Sequence, residues 1–264
     1  MVFLIKTFKT LAFIILIITF LSLCFCIDLL IWNKAAKLRR FSRISSGYLK
    51  AALMVLGVKV TLKNIHRLND ADKSYFIVSN HLSYLDIMAI SSVTPSVFVA
   101  NSELEEAFLL GSIIRYSGGV FVERRNRARL LSDIQNIKNI LNMGVNVVLF
   151  PEGTTSDGKE VKPFKTPLLS VAVESGVEVL PLCIRYGKIN GRDVDAGNGH
   201  LVYYHGHIGF FEHFIRLLTL RSVSVELREL EVIPSDCHYS RKEIAKIAHE
   251  MISGAYGEAG ESRI

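Results

Sequence analysis

The chain holds one tryptophan, six prolines and four cysteines in 264 residues. Cys24, Cys26, Cys183 and Cys237 form no CxxC pair, so the common structural zinc sites and a disulfide framework have no support, and a reducing compartment is expected. Glycine and proline are missing from residues 1–46, so nothing there opposes a helix. Acidic residues are missing between Asp28 and Asp70. The glycine patterns of P-loop and dinucleotide sites are missing too, as is the GxSxG elbow of serine hydrolases. No helix-turn-helix, zinc-finger or RNA-binding signature is present, so the net charge of +6 does not point to nucleic acid.

Apolar sequence is abundant: half of the residues are hydrophobic, and the mean hydropathy is +0.31. The excess is concentrated at the start. Thr10 to Ile27 carries no charge, and Leu29 to Trp32 continues the run, long enough as a helix to cross or enter a bilayer. The run is long for the core of a cleaved signal peptide. Lys34, Lys37, Arg39, Arg40, Arg43 and Lys50 come next, which accounts for much of the positive charge. The positive-inside rule puts the rest of the chain on the cytoplasmic side of an inner or cytoplasmic membrane, and the basic run suits anionic membrane lipids. Phe41 to Val58 mixes apolar and basic residues as a second helix lying on the membrane would. Residues 1–58 therefore read as an anchor with a basic amphipathic helix, 59–256 as one α/β domain, and 257–264 as a flexible tail.

Within 59–256, apolar β-branched runs alternate with helical patterns. Strands are expected at Tyr75–Val78, Gly118–Val122, Val145–Phe150, Val177–Tyr186, Leu201–His205 and Val223–Val232. Helices are expected at Asp86–Ser92, Glu103–Tyr116, Arg129–Met143, Pro163–Ser175 and Arg241–Tyr256. The alternation predicts a mostly parallel or mixed sheet flanked by helices. Pro181 within a strand predicts an edge, bulge or bend. His205 and His207 would share a strand face, but no third ligand has matching spacing, so no metal is expected.

Four segments carry the chemistry. Asn80-His81-Leu82-Ser83-Tyr84-Leu85-Asp86 comes after the first strand, where sheet ligands bind at the carboxyl edge. Five residues separate His81 from Asp86, so they face apart in a regular helix but meet if His81 lies on the turn. A carboxylate on one ring nitrogen leaves the other free to take a proton. Phe150-Pro151-Glu152-Gly153-Thr154-Thr155-Ser156-Asp157-Gly158 ends another strand in a loop offering a carboxylate, three hydroxyls and backbone N–H groups. Gly118 to Arg125 is a short strand that runs into Arg124, Arg125 and Arg127. Val179 to Tyr186 contains Pro181 and passes through Arg185.

Together these segments resemble the glycerolipid acyltransferase family, whose type is 1-acylglycerol-3-phosphate (lysophosphatidic acid) acyltransferase. The resemblance covers roughly residues 60–190. It implies the fold of that family and transfer of a fatty acyl chain from acyl-CoA or acyl carrier protein to the free hydroxyl of a lysolipid. It implies His81 and Asp86 as catalytic residues, and Arg124, Glu152, Gly153, Thr154, Thr155 and Pro181 as substrate-binding residues. It implies no bound cofactor. The acceptor it suggests first is lysophosphatidate, in membrane phospholipid synthesis. Many phosphate-headgroup members carry arginine where this chain has Thr155, which keeps lyso-ornithine lipid and lysophospholipid diesters open as acceptors. A membrane-anchored lipid-binding protein without turnover is the reading outside enzymology; it would not need His81 and Asp86 together.

Overall fold

The structure, a computed structural model, describes residues 2–68, 70, 73–123, 126–206 and 208–261, without the side chains of 2, 3, 127 and 259–261. Two long helices come first: α1 (Val2–Leu30) and α2 (Lys34–Leu56). Asn33 caps α2, its side chain accepting from the amide of Ala36. Gly57 closes it in the left-handed region at φ 77°, and an added Cβ would meet the Arg221 carbonyl oxygen at 2.3 Å.

The strands are β1 (Val58–Lys63), β2 (Phe76–Ser79), β3 (Ser96–Asn101), β4 (Val120–Val122), β5 (Asn146–Leu149), β6 (Val179–Ile189), β7 (Arg192–Asp193) and β8 (Val223–Glu229). The remaining helices are α3 (Tyr84–Val93), α4 (Phe108–Tyr116), α5 (Arg127–Asn142), α6 (Ser170–Ser175), α7 (Phe210–Leu218) and α8 (Arg241–Glu261). The sheet order is β1-β8-β6-β2-β5-β3-β4, with β7 pairing β6. The sheet is mixed: β6 runs antiparallel to β7 and β8, and every other described ladder is parallel.

β2 is central and buried at all four positions, which is why it reads as an unbroken apolar run rather than an alternating one. One core layer lies between the sheet and α2, α3 and α7, and holds Leu53, Leu85, Ile90, Ile184 and Leu217. The opposite layer holds Ile134, Ile137 and Leu141 of α5 with Val171 of α6 and Ala248 of α8. Fully buried side chains such as Ile137 each contribute about 1.5–3 kcal/mol by leaving water.

Several sequence expectations need correction. The helix expected over 103–116 is broken: a 3-10 turn spans Ser102–Leu104 and α4 starts only at Phe108. The chain doubles back there, bringing the Glu105 carbonyl to where a Cβ on Gly111 would lie, at 2.4 Å. The helix expected from Pro163 waits until Ser170, after a 3-10 turn at Pro167–Leu169. Proline has no N–H for a helix, and the Lys165 amide is spent on the Pro151 carbonyl. Leu201–His205 is no strand, because the amides of Val202 and Tyr203 bond to the Gly199 carbonyl and that of Tyr204 to the Leu82 carbonyl. His205 therefore has no strand face to share, and His207 lies outside the described residues. Pro181 stands in an interior strand, opposite Val78 of β2, rather than at an edge, and of the three expectations the bulge is the one present: the pairing of β6 slips by one residue between Leu182↔Glu229 and Val179↔Ile233. It is tolerated because its nitrogen points to the β8 side, and β8 ends at Glu229; only the Leu230 amide reaches the Pro181 carbonyl. β1, β3 and β7 have no counterpart among the expected strands. α8 continues past Tyr256 to Glu261, into the segment expected to be a flexible tail.

α1 is long and apolar enough over Leu4–Leu30 to cross a membrane, by length and composition. It is held along its length. Lys9 Nζ donates to the carbonyls of Leu56 and Leu220, both at 2.7 Å. Phe13 meets Phe214 of α7 edge-on, and Phe20 meets Tyr48 of α2. Cys24 is buried against the Tyr116 carbonyl. Leu11, Ile15, Ile18, Phe25 and Leu29 stay exposed.

Candidate active site

Parallel pairing brings the ends of β6, β2 and β5 to one edge of the sheet, so three of the four motif segments meet there. Asn80 leaves β2 and extends the pairing with its side chain. Its Nδ2 donates to the Ile184 carbonyl at 2.9 Å and its Oδ1 accepts from the Ile184 amide at 2.8 Å. The turn after it is thereby fixed to β6, and the asparagine of the motif is structural.

His81 lies on that turn and Asp86 in the first turn of α3. Nδ1 of His81 is 2.9 Å from Oδ2 of Asp86. The same oxygen accepts from the amides of Leu82 at 2.6 Å and Ser83 at 2.8 Å. Asp86 Oδ1 accepts from the Tyr186 hydroxyl at 2.7 Å. Asp86 is wholly buried, and every group around it is a donor or can be one, so the carboxylate form fits the site. That form obliges Nδ1 of His81 to carry a proton and leaves Nε2 with its lone pair. The imidazole stacks on Phe150 at 3.9 Å between centroids and 11° between planes. Ring position and tautomer are thus both set, while the His81 side chain keeps 16 % exposure.

The Phe150–Gly158 loop closes on the same turn. Pro151 occupies the second position of a turn in which the Gly153 amide bonds to the Phe150 carbonyl, with Gly153 at φ 73°. The Ser156 amide donates to the His81 carbonyl at 2.9 Å. Gly153 and Thr154 are exposed and Thr155 is half-buried, on the loop beside His81. Two of the residues expected at the substrate are buried. Pro181 is buried in the sheet, opposite Val78. Glu152 is only 2 % exposed and turns inward, accepting from the amides of His81 at 2.7 Å and Lys162 at 3.2 Å. Its partners are backbone N–H groups otherwise orphaned at the sheet edge, so it braces the histidine turn. Arg124, expected at an anionic headgroup, lies outside the described residues. The strand before it, β4, runs parallel to β3 and delivers the chain to the same sheet edge.

Burial raises the Glu152 carboxyl to about 7, against the opposing pull of the two amides and of the Lys162 charge. Its unfolded value is near 4.5. The folded state therefore binds more protons between these values, and stability falls as pH rises from about 4.5 to about 7. Glu152→Gln is expected to remove that part of the pH dependence. The check is the melting temperature of both proteins across the window; parallel curves would contradict the assignment.

Three contributors were not legible in advance. Tyr186 reaches Asp86 from β6. Lys162 places its ammonium 2.7 Å from the Thr155 carbonyl, so a cation stands beside Thr155. An aromatic cluster flanks the turn: Tyr84 meets Tyr204, Phe210 and His213 edge-on, and its hydroxyl lies 3.0 Å from His213 Nδ1. Periodicity alone marks none of these, because each depends on which loops the sheet brings together.

Residues 58–185 match the family model described as Acyltransferase. A lyso-ornithine lipid O-acyltransferase of Rhizobium meliloti (strain 1021) is 31% identical over 210 residues, covering 77% of this chain and 71% of that protein. The chain belongs to the acyltransferase family. This acyltransferase is also 36% identical over 116 residues to a 1-acyl-sn-glycerol-3-phosphate acyltransferase of Neisseria gonorrhoeae, covering 44% of this chain and 46% of the other. Its fold is that of the crystal structure of the 1-acyl-sn-glycerophosphate (LPA) acyltransferase PlsC from Thermotoga maritima, with a TM-score of 0.72, 24% identity, and coverage of 98% of this chain and 95% of that one.

Proposed function

We propose that this acyltransferase moves a fatty acyl chain from a thioester, acyl-CoA or acyl carrier protein, to the free hydroxyl of a lysolipid. The observation that carries the reading is the His81–Asp86 pair. Three donors on Asp86 Oδ2 fix the Nδ1–H tautomer and leave Nε2 as the base. Nε2 takes the proton of the acceptor hydroxyl as its oxygen attacks the thioester carbonyl. The tetrahedral intermediate collapses to the ester, the C–S bond breaks, and the leaving thiolate receives the proton from the imidazolium. Asp86 stabilises that imidazolium and keeps it oriented. The thioester is already activated, so no acyl-enzyme is needed.

The site lies at a membrane surface in this reading. Lys9 and Cys24 of α1 both touch the catalytic domain, and they stand about 22 Å apart along the helix. A helix fastened at both ends to a water-facing domain lies along one leaflet, with Leu11, Ile15, Ile18 and Phe25 turned to lipid. The basic residues of α2, and a thioester donor drawn from the cytoplasm, support the cytoplasmic side for the domain.

Two acceptors fit. The motif segments shared with phosphatidate-forming enzymes, and the basic segment after β4, suit lysophosphatidate. Thr155, and the long match to lyso-ornithine lipid O-acyltransferases, suit lyso-ornithine lipid. Lys162 beside Thr155 offers a positive charge to the phosphate of the first or the carboxylate of the second. Initial rates on both lipids, and on lysophosphatidylcholine, lysophosphatidylethanolamine and lysophosphatidylglycerol, at equal surface density are expected to favour one of the first two. A preference for any of the last three would reject both assignments. Fatty acid release at the full rate without any lysolipid would reject acyl transfer itself.

A further inference from the structure

We infer that Tyr186 is a positioning residue of the transfer reaction, acting through Asp86; the inference rests on the catalytic role of the His81–Asp86 pair. Asp86 has two oxygens with unequal company. Oδ2 is shared by His81 Nδ1 and two amides, whereas among the described residues Oδ1 has the Tyr186 hydroxyl alone. The two amides belong to the same turn as His81, so they move with it. Tyr186 comes from β6, 100 residues away, and ties the carboxylate to the sheet.

The neighbourhood allows Tyr186 one role. It is 1 % exposed and so cannot touch a lipid or thioester. Burial and the nearby Asp86 charge push its phenol well above the ordinary range, so it stays protonated and donates at any working pH. Its ring meets Tyr203 edge-on at 5.7 Å between centroids, and Tyr203 packs over Gly158 of the substrate-side loop. The ring is thus held against Tyr203 while the hydroxyl points at Oδ1. Without that hydroxyl, a buried carboxylate oxygen has no donor. The carboxylate is then anchored through Oδ2 alone, and the angle it presents to the imidazole loosens.

Tyr186→Phe keeps the ring and its contact with Tyr203 and removes only the hydroxyl. The expected result is a fall in kcat of about 10- to 100-fold, the size of effect known for loss of the outer partner that orients a metal-bound histidine. The KM of either substrate should stay unchanged, because no contact with substrate is removed. The decisive readout is a cycle with Asp86→Ala. If the tyrosine works through the carboxylate, Y186F should alter kcat by about twofold or less in the D86A background. Should D86A be too slow to assay, melting temperatures complete the same cycle: Y186F should destabilise the wild type clearly more than D86A, where the hydroxyl has lost its carboxylate.

A Y186F enzyme with normal kcat overturns the inference. So does an equal loss of kcat or melting temperature in both backgrounds, which would mark Tyr186 as a core residue only. Failure of the underlying catalytic reading looks different: His81→Ala would then turn over at the wild-type rate, whatever Y186F does.

Discussion

Replacing His81 with alanine is expected to lower acyl transfer by about 10²–10⁴-fold, the usual worth of a positioned general base. An alcohol is a weak nucleophile at neutral pH, and the carboxylates that bond to the turn, Asp86 and Glu152, are both buried and engaged with its amides, which leaves Nε2 as the accessible base. Folding should survive. The backbone of His81, not its ring, carries the bonds that shape the turn: its amide donates to Glu152 and its carbonyl accepts from Ser156. The ring contributes one stacked face to Phe150. Turnover measured in purified membranes, alongside membrane content and melting temperature, tests both halves. Near-normal turnover would remove His81 from the mechanism.

Asp86→Asn is the second large effect, and the geometry says how it arises. The amide must place its oxygen where Oδ2 now lies, because three N–H groups converge there. Its NH2 then faces the Tyr186 oxygen, which can accept. The histidine keeps its tautomer, and what is lost is the negative charge that stabilises the imidazolium. The expected fall in kcat is about 10²–10³-fold, smaller than the about 10⁴-fold seen where an asparagine imposes the wrong tautomer. Acceptor KM should change little, since Asp86 is wholly buried. A pure KM effect would contradict the role. A loss of 10⁴-fold or about that would mean the amide had flipped, against the three donors.

Tyr186→Phe and Asp86→Asn bear on different oxygens of one carboxylate. The first disturbs its angle and the second its charge. Their effects are therefore not expected to add.

The local chemistry was legible in the chain. A histidine and an aspartate five residues apart meet only across a strand-to-helix turn, and the apolar run Tyr75–Val78 announces that turn. Pro151 and Gly153 mark the second loop in the same way, through fixed φ and a left-handed position. The uncharged N-terminal run and the basic residues after it are composition, and composition survives without a fold. The alternation of apolar runs foretold the mixed α/β sheet, though not the breaks before α4 and α6, where turns absorb the backbone N–H groups.

Tertiary structure alone decided which groups serve those motifs. Glu152 reaches the His81 amide across 71 residues, Asn80 reaches Ile184 across 104, and Tyr186 reaches Asp86 across 100. Each pairing depends on the order β6-β2-β5 in the sheet. Glu152 turns inward because the amides of His81 and Lys162 need an acceptor at a buried edge, a demand that no feature of FPEGT by itself displays. Sequence spacing specifies contacts within a turn or a helix. Contacts between strands are set by the hydrophobic and hydrogen-bonding terms that choose the strand order, and these are summed over the whole core.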